Sequence, residues 1–342
     1  MRKRSDNATI RDVAKEAGVS IGTASRVING KATVRPEIRN AVLIAIERLN
    51  FRPNALAQSM RRRSSQLVGC IIREINVPAL ADFVRALHDV LDQAGYSLVI
   101  SNSEGLRERE MELIARLGRL QSDGLILGPY TPVDATFEKA LLDFAGPIVL
   151  VDRSEPAWAD AVMADHAGSV DCATTRLLEL GHRRIVLLTG QSIIFPARER
   201  VRGYRAAFLR AGIPVDETLI RTISFLPAEG FRQSSSILAS AEPPTAIIAG
   251  GIDMLPGVLR AIRMRGLRVP EDVSVVGSGD SELSELYAPP IALQRWDQAE
   301  IGRTAGHLLL RRLEGTEERP PEQVLLPAEF IERGSLAPPR TT

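Results

Sequence analysis

The first 65 residues hold 14 Lys or Arg against 5 Asp or Glu, and the remaining 277 hold 29 against 37, so a formal net charge of +1 conceals a basic arm on an acidic body. Cationic side chains at that density have one obvious use, the neutralisation of a polyanion. A disordered basic tail would carry no apolar periodicity. This arm carries Ile10, Val13, Ala17, Val27, Ile28, Ile38, Val42, Ala45 and Leu49, which predicts a folded basic domain instead.

The other residues able to do chemistry are scattered. His88, His166, His182 and His307 lie far apart, without a cysteine or carboxylate cluster at metal-ligand spacing, and there is no P-loop, GxSxG or HExxH. No catalytic residue, metal site or cofactor is therefore expected. His182, within LGHRRI ahead of a strand, reads as a structural turn residue. Cys70 and Cys172 show no CxxC spacing and read as small core hydrophobes. No apolar run approaches the roughly 18 to 20 residues of a membrane span. MRKRSDNATI leads into polar residues, not the apolar stretch of a secretion signal, so a cytoplasmic location is expected.

Within the arm, Thr9 precedes the periodic stretch Ile10 to Ala17, Asp12 stands where a capping box needs an acid, and Gly18 stops the helix. After the Gly18-Val19 turn, Ser20 offers a second cap for Ile21 to Asn29, with Ala24, Val27 and Ile28 on one face. Pro36 opens a third helix reaching about Leu49. Helix, glycine turn, helix is a DNA-reading geometry, and the third helix supplies the core.

The run TIRDVAKEAGVSIGTASRVINGKATVRPEIRNAVLIAIERLNFRPNALAQSM resembles the head of the lactose-repressor (LacI) family of bacterial transcription regulators. The resemblance implies a recognition helix from Ser20 to Asn29, with phosphate contacts at Ser20, Thr23, Ser25, Asn29 and Thr9, and base readers at Ile21, Gly22 and Arg26. Short hydroxyl and amide side chains suit phosphate oxygens, and a guanidinium can pair with guanine O6 and N7. Gly22 reads nothing by itself; Ile21 either meets a thymine methyl or packs. Arg35 stands where the family has a small polar cap.

Residues 53–65 contain Pro53, Asn54 and about two potential helical turns, too short to be stable alone in water. In the family such a segment is a hinge helix formed as a pair on operator DNA, inserting an apolar lever into the minor groove. Ala57 and Met60 hold the matching positions, with Met60 as the lever. The competing reading is a flexible linker whose Arg61, Arg62 and Arg63 only add charge.

From Gln66 onward, short apolar runs alternate with amphipathic stretches: Leu67 to Ile72 then 79–94, Ser97 to Ile100 then 107–119, Gly124 to Leu127 then 134–144, and Ile148 to Val151. The pattern restarts with helices at 167–180 and 198–211 and strands at Ile185 to Leu188, near 219–225, Ala246 to Ala249 and Val273 to Val276. It predicts two doubly wound parallel-sheet lobes. The expected organisation is an all-α helix-turn-helix head over 1–52, a hinge over 53–65 and a two-lobed α/β body over 66–342.

VDRSEP, LLELGHRRI, RERVRGY, GLRVPEDVSVVG and LPAEFIERGS extend the resemblance to the periplasmic-binding-protein-like effector domain of the family. Position matching puts Asp152, Arg200, Phe225 and Trp296 at the inter-lobe cleft, with a lobe-bridging Asp-Arg pair and core aromatics as the competing structural readings. Departures follow. Gly251-Ile252 replaces the usual Asn-Asp, Gly279 replaces the first acid of GFDD or GYDD, and Pro78-Ala79-Leu80 stands where entry aromatics are usual. Two polar ligand contacts are lost while Arg200 stays, which favours an acidic ligand such as a sugar acid over a neutral sugar. The resemblance thus implies a repressor binding a pseudo-palindromic operator as a homodimer, with a sugar or sugar acid as effector. The alternatives are an effector-independent regulator with a degenerate pocket and a solute-binding protein. Phe83, Val84, Leu87 and Val90 are candidates for the dimer face or for packing onto the sheet. GSLAPPRTT carries no heptad repeat for a coiled-coil tetramer.

Overall fold

The computed structural model describes residues 8–28, 34–51, 64–77, 79–130, 133–315 and 319–340. Asn29, Ala57, Met60 and the rest of the expected hinge helix lie outside the described residues. The chain divides into two compact units, one ending at Ser65 and the other starting at Gln66.

The first unit consists of α1 (Ile10–Glu16), α2 (Ile21–Ile28) and α3 (Pro36–Arg48). Thr9 Oγ1 accepts from the Asp12 N–H, and the Asp12 carboxylate accepts the Thr9 N–H at 2.8 Å, so the capping box is complete. Gly18, at φ 66°, supplies the left-handed residue that turns the chain. Ser20 Oγ then accepts the Thr23 N–H at 3.1 Å and caps α2. Arg35, ahead of Pro36, makes no capping bond, as its side chain dictates. Val13, Ala14, Ala24, Val27, Val42 and Ala45 form the core, with Leu49 and Phe51 packed against it.

The second unit contains two six-stranded sheets. Lobe 1 holds β1 (Leu67–Ile72), β2 (Ser97–Asn102), β3 (Gly124–Leu127), β4 (Ile148–Val151), β5 (Asp160–Ala164) and β11 (Gln323–Leu326), with α4 (Ala79–Gln93), α5 (Arg107–Arg119) and α6 (Ala135–Leu142) between its strands. Its order is β11-β5-β4-β3-β1-β2, and every pair is parallel. Lobe 2 holds β6 (Ile185–Thr189), β7 (Ile220–Thr222), β8 (Ala246–Ala249), β9 (Ser274–Ser278), β10 (Ala292–Trp296) and β12 (Ala328–Ile331). Its helices are α7 (His166–Glu179), α8 (Phe195–Arg210), α9 (Pro227–Ile237), α10 (Met254–Met264) and α11 (Glu282–Leu286), and its order is β12-β10-β9-β8-β6-β7. The final helix, α12 (Gln298–Glu314), returns to pack on α4 in lobe 1. The chain therefore passes between lobes three times, after β5, after β10 and between β11 and β12.

Two expectations need correction. β12 runs antiparallel to β10, so lobe 2 is not wholly parallel. The strand expected near 219–225 is only Ile220–Thr222, because Glu217–Leu219 forms a 3-10 turn capped by Asp216. The structure also bears on the face of α4. Phe83 and Leu87 are buried in the core of lobe 1, and Val84 and Val90, half-buried, pack against that core, as the packing reading requires.

A part-buried bidentate pair locks the returning helix: Arg312 reaches both Asp160 oxygens at 2.7 Å, and Asp160 also accepts the Glu322 N–H. His182 bonds Thr245 Oγ1 at 2.8 Å and the Ala337 carbonyl at 2.9 Å, stitching the C-terminal segment to lobe 2, the structural role expected of it. Cys70 is buried in the lobe 1 core, as expected, whereas Cys172 is exposed and is no core residue. Among the described residues no helix is long and apolar enough to cross a membrane, and no group of three His, Cys, Asp or Glu could hold a metal ion.

The contact between α4 and α12 depends on Gly302, where a Cβ would stand 2.3 Å from the Phe83 carbonyl oxygen. Because that neighbour is backbone, it cannot rotate away. Gly302→Ala is expected to destabilise the second unit by about 1–3 kcal/mol despite alanine's better helix propensity. Urea unfolding measures it, and unchanged stability would contradict so close an approach.

Candidate functional site: a helix face and an inter-lobe cleft

On the first unit, Thr9, Ser20, Ile21, Gly22 and Arg26 are exposed, and Thr23 and Ser25 are half-buried. Ile21 is 45% exposed, so a large part of its apolar side chain is at the surface. At Gly22 an added Cβ would meet only Ser20 Oγ, at 3.8 Å, so internal packing does not demand glycine there. Ser20 Oγ and Thr23 Oγ1 are 2.9 Å apart, and both hydroxyls sit at the start of α2, where free N–H groups and the helix dipole favour an anion. Arg26 makes no ion pair with any described residue. Hydroxyls and N–H groups for phosphates, beside the exposed Arg26 guanidinium and the exposed Ile21, form a surface suited to duplex DNA.

In the second unit, all four predicted cleft residues come together. Asp152 directly follows β4 with φ 51°, a left-handed conformation that aspartate tolerates, and this turn directs its carboxylate across the strand ends. Its Oδ1 accepts the Ala164 N–H at 3.1 Å and lies 3.1 Å from His166 Nε2. His166 Nδ1 lies 3.2 Å from Arg200 Nη2. Since the guanidinium can only donate, Nδ1 accepts and Nε2–H donates to Asp152. The chain Asp152–His166–Arg200 thus links lobe 1, the first crossover and α8 of lobe 2.

Arg200 is 3% exposed, with its Cζ 5.4 Å from the Phe225 ring centre and 5.6 Å from that of Trp296. His166 stands edge-on to Trp296 at 4.9 Å. Burial pulls the Arg200 pKa down to about 10, partly opposed by Asp152. Arg200 Nε and Trp296 Nε1 are buried without a hydrogen-bond partner. Burial acts against the Asp152 charge too, yet His166 and the Ala164 N–H hold its pKa below the usual carboxylate range. The bridging reading therefore holds in altered form, with His166 inserted between acid and base.

A cavity of about 180 Å³ opens beside this cluster, its polar lining being Arg73, Tyr130, Asp152, Arg153 and Gln298. Arg73 stacks on Tyr130 at 5.3 Å and pairs across the lobes with Asp253 at 3.6 Å. The positions that depart from the family pattern interlock. A Cβ on Gly251 would stand 2.5 Å from the Phe225 ring, and one on Gly279 2.5 Å from Ile252 Cγ1. Space left by the missing side chains is filled by Phe225 and Ile252. Sequence reasoning missed His166, Arg73 and Arg153; only VDRSEP, already singled out, held a signal for Arg153.

This combination of a helix-turn-helix head and a two-lobed, periplasmic-binding-protein-like body defines a class of ligand-responsive DNA-binding regulators. Residues 9–54 match the model of bacterial regulatory proteins of the lacI family, and residues 174–336 match a periplasmic binding protein-like domain. The chain is 32% identical over 314 residues to the HTH-type transcriptional repressor PurR of Haemophilus influenzae strain PittEE, covering 91% of this chain and 93% of that protein. It is 32% identical over 308 residues to the catabolite control protein A of Priestia megaterium, covering 89% and 92%. Its fold matches the lac repressor dimer bound to operator and the anti-inducer ONPF, with TM-score 0.83, 30% identity and 96% and 99% coverage. The chain belongs to the LacI family of bacterial transcription regulators.

Two buried histidines make the second unit acid-sensitive. Burial lowers the pKa of His166, with Arg200 acting in the same sense and Asp152 against it, and burial also lowers that of His182. Below about pH 6.5 the unfolded chain takes up protons that the folded one refuses, so stability falls as pH drops from there. Urea unfolding between pH 8 and 5 should show this slope, reduced in His166→Gln and again in His182→Gln. An unchanged slope in His166→Gln would show that this imidazole is not held neutral by its burial.

Proposed function

We propose that the protein is a homodimeric repressor, each head binding one half-site of a pseudo-palindromic operator and the cleft binding a small effector, a sugar or sugar acid. The observation that carries this reading is the exposed Ile21, Gly22 and Arg26 on a capped helix-turn-helix, beside the hydroxyls of Thr9, Ser20, Thr23 and Ser25. Asn29, Ala57 and Met60 complete the DNA surface by resemblance, with Met60 as the minor-groove wedge. Two heads per duplex supply affinity that one small head lacks. A lac repressor dimer is known bound to operator, and a similar regulator, CelR, in complex with cellobiose, which supports a dimer and a carbohydrate-like effector here.

We retain the division into a head (1–52), a hinge (53–65) and a body (66–342), and a cytoplasmic location, where operator DNA is accessible. The cleft is read as binding, not catalytic. Oδ1 of Asp152 is taken up by His166 and the Ala164 N–H, and Arg200 lies buried between aromatic rings. The filling of the Gly251 and Gly279 positions by Phe225 and Ile252 favours a second reading, a regulator whose cleft has lost its effector.

Arg26→Ala should lower discrimination at one base pair by about 1–3 kcal/mol, whereas Arg61→Ala should weaken binding to all duplexes alike and flatten the salt dependence. Fluorescence anisotropy on operator and base-swapped duplexes tests both. Equal losses on operator and random DNA for Arg26→Ala would remove it from direct readout. In the same preparation, Met60→Gly should abolish the central bend of bound DNA, seen by energy transfer between end-labelled duplex termini.

A further inference from the structure

The two walls of the cleft differ in chemistry. The charged groups lining the cavity, Arg73, Asp152 and Arg153, all come from lobe 1, beside Tyr130 and a majority of apolar lobe 1 side chains, whereas lobe 2 presents only Ile194, Pro196 and Phe225 among the described residues. Polar recognition therefore falls to lobe 1, and lobe 2 forms an apolar lid.

Among the described residues the Arg153 guanidinium donates to neutral main-chain oxygens, those of Pro129 and Asp152, and no carboxylate lies within ion-pair distance of it. Its burial pulls its pKa down to about 10, the mark of a charge incompletely compensated. Among the described residues Arg73 has one ion-pair partner, Asp253, and the 3.6 Å separation is long for a direct bond. Asp253 stands at the start of α10 and makes no capping bond, and its carboxylate pairs with Arg73. Both hydrogen bonds recorded for Asp152 end on Oδ1, which leaves Oδ2 as an acceptor.

From this arrangement we infer that the cleft takes a small hydroxylated carboxylate, its carboxylate seated between Arg153 and Arg73 in place of Asp253 and its hydroxyl donating to Asp152. The inference rests on the reading of the cleft as the effector site and narrows its ligand class. A single negative charge fits better than a phosphate dianion, because Glu110 acts electrostatically on Arg153 and Glu74 on Asp253. The cavity of about 180 Å³ is smaller than the roughly 300–1,000 Å³ of drug-sized sites, which limits the ligand to a few carbons. Its apolar face meets Phe225. Asp253 acts as an internal competitor, an anion of the chain's own lobe 2 holding Arg73 until the ligand displaces it.

The experiment is thermal unfolding of the full chain with lactate, glycerate and gluconate, against lactamide, glycerol and glucose, at fixed ionic strength. Operator affinity is measured on the same samples. At least one acid should raise Tm by about 2–4 °C where its neutral counterpart does not. Arg153→Gln should weaken that acid about tenfold or more. Asp253→Asn, which frees Arg73, should tighten it about two- to fivefold. Arg116→Gln, in an exposed pair on α5, should leave the response intact. Ligand-free urea unfolding separates a misfolded variant from one that has lost binding.

Neutral compounds acting as well as the acids would overturn the inference and leave the effector reading standing. So would weaker acid binding in Asp253→Asn. If no compound moves either Tm or operator affinity, the inference and the effector reading fall together.

Discussion

A buried guanidinium with no carboxylate beside it is the constraint around which the two-lobed unit is arranged. Taking Arg200 out of water costs several kcal/mol unless its charge is answered nearby. The answer comes indirectly: Nη2 donates to His166 Nδ1, whose other nitrogen donates to Asp152, and the faces of Phe225 and Trp296 lie on the guanidinium. That solution fixes much else. His166 must be neutral, Asp152 must be charged, and β4, the first crossover, α8 and the end of β10 must converge within a few ångströms. Two of the three interlobe passages, those after β5 and after β10, are therefore tied to one electrostatic requirement as well as to apolar packing.

The same economy explains the cleft's departures from its family. A glycine at 251 and another at 279 look like simple losses when only the sequence is considered. In the structure each is half of a pair, because the ring of Phe225 and the side chain of Ile252 occupy the space a side chain at those positions would need. Ile252 also packs against the lobe 1 core, so the replacement joins the lobes through apolar contact. Restoring either polar residue alone would collide with its partner, and such coupled positions do not behave additively.

Local chemistry was legible in the sequence; long-range convergence was not. Thr9 with Asp12, Gly18, Ser20 and Pro36 announce the head because capping and turn residues act over three or four positions. The helix over 107–119 and the strands at Leu67–Ile72 and Ala246–Ala249 appear within their predicted bounds because each carries an uninterrupted pattern. β10, β11 and β12 gave no such signal: they border interlobe passages, and β12 pairs antiparallel, outside the strand-helix-strand rhythm. At the cleft, resemblance located Asp152, Arg200, Phe225 and Trp296. His166 read as isolated because Arg200 and Trp296, which meet it, come from distant parts of the chain, joined only by the crossovers. Arg73 and Arg153 passed unnoticed because a lone arginine near a strand end is ordinary until a cavity is seen beside it.

The contacts already bridging the cleft set what an effector must do. A ligand shifts a conformational equilibrium only by the difference in its affinity for the two states. Here the lobes are held by the Arg73–Asp253 pair, by Arg198 Nη2 donating to Ser154 Oγ at 3.3 Å, by Ile252 against lobe 1 and by His166 donating to Asp152. A ligand that merely filled space beside these contacts would bind without changing their balance. One that takes Arg73 from Asp253 exchanges an interlobe ion pair for a bond within lobe 1, and so loosens one tie between the lobes in the act of binding. Linkage requires the converse, that whatever strengthens the Arg73–Asp253 pair weakens the ligand. Affinity and lobe geometry are then governed by the same guanidinium, which gives a cleft stripped of two polar contacts a means of remaining responsive.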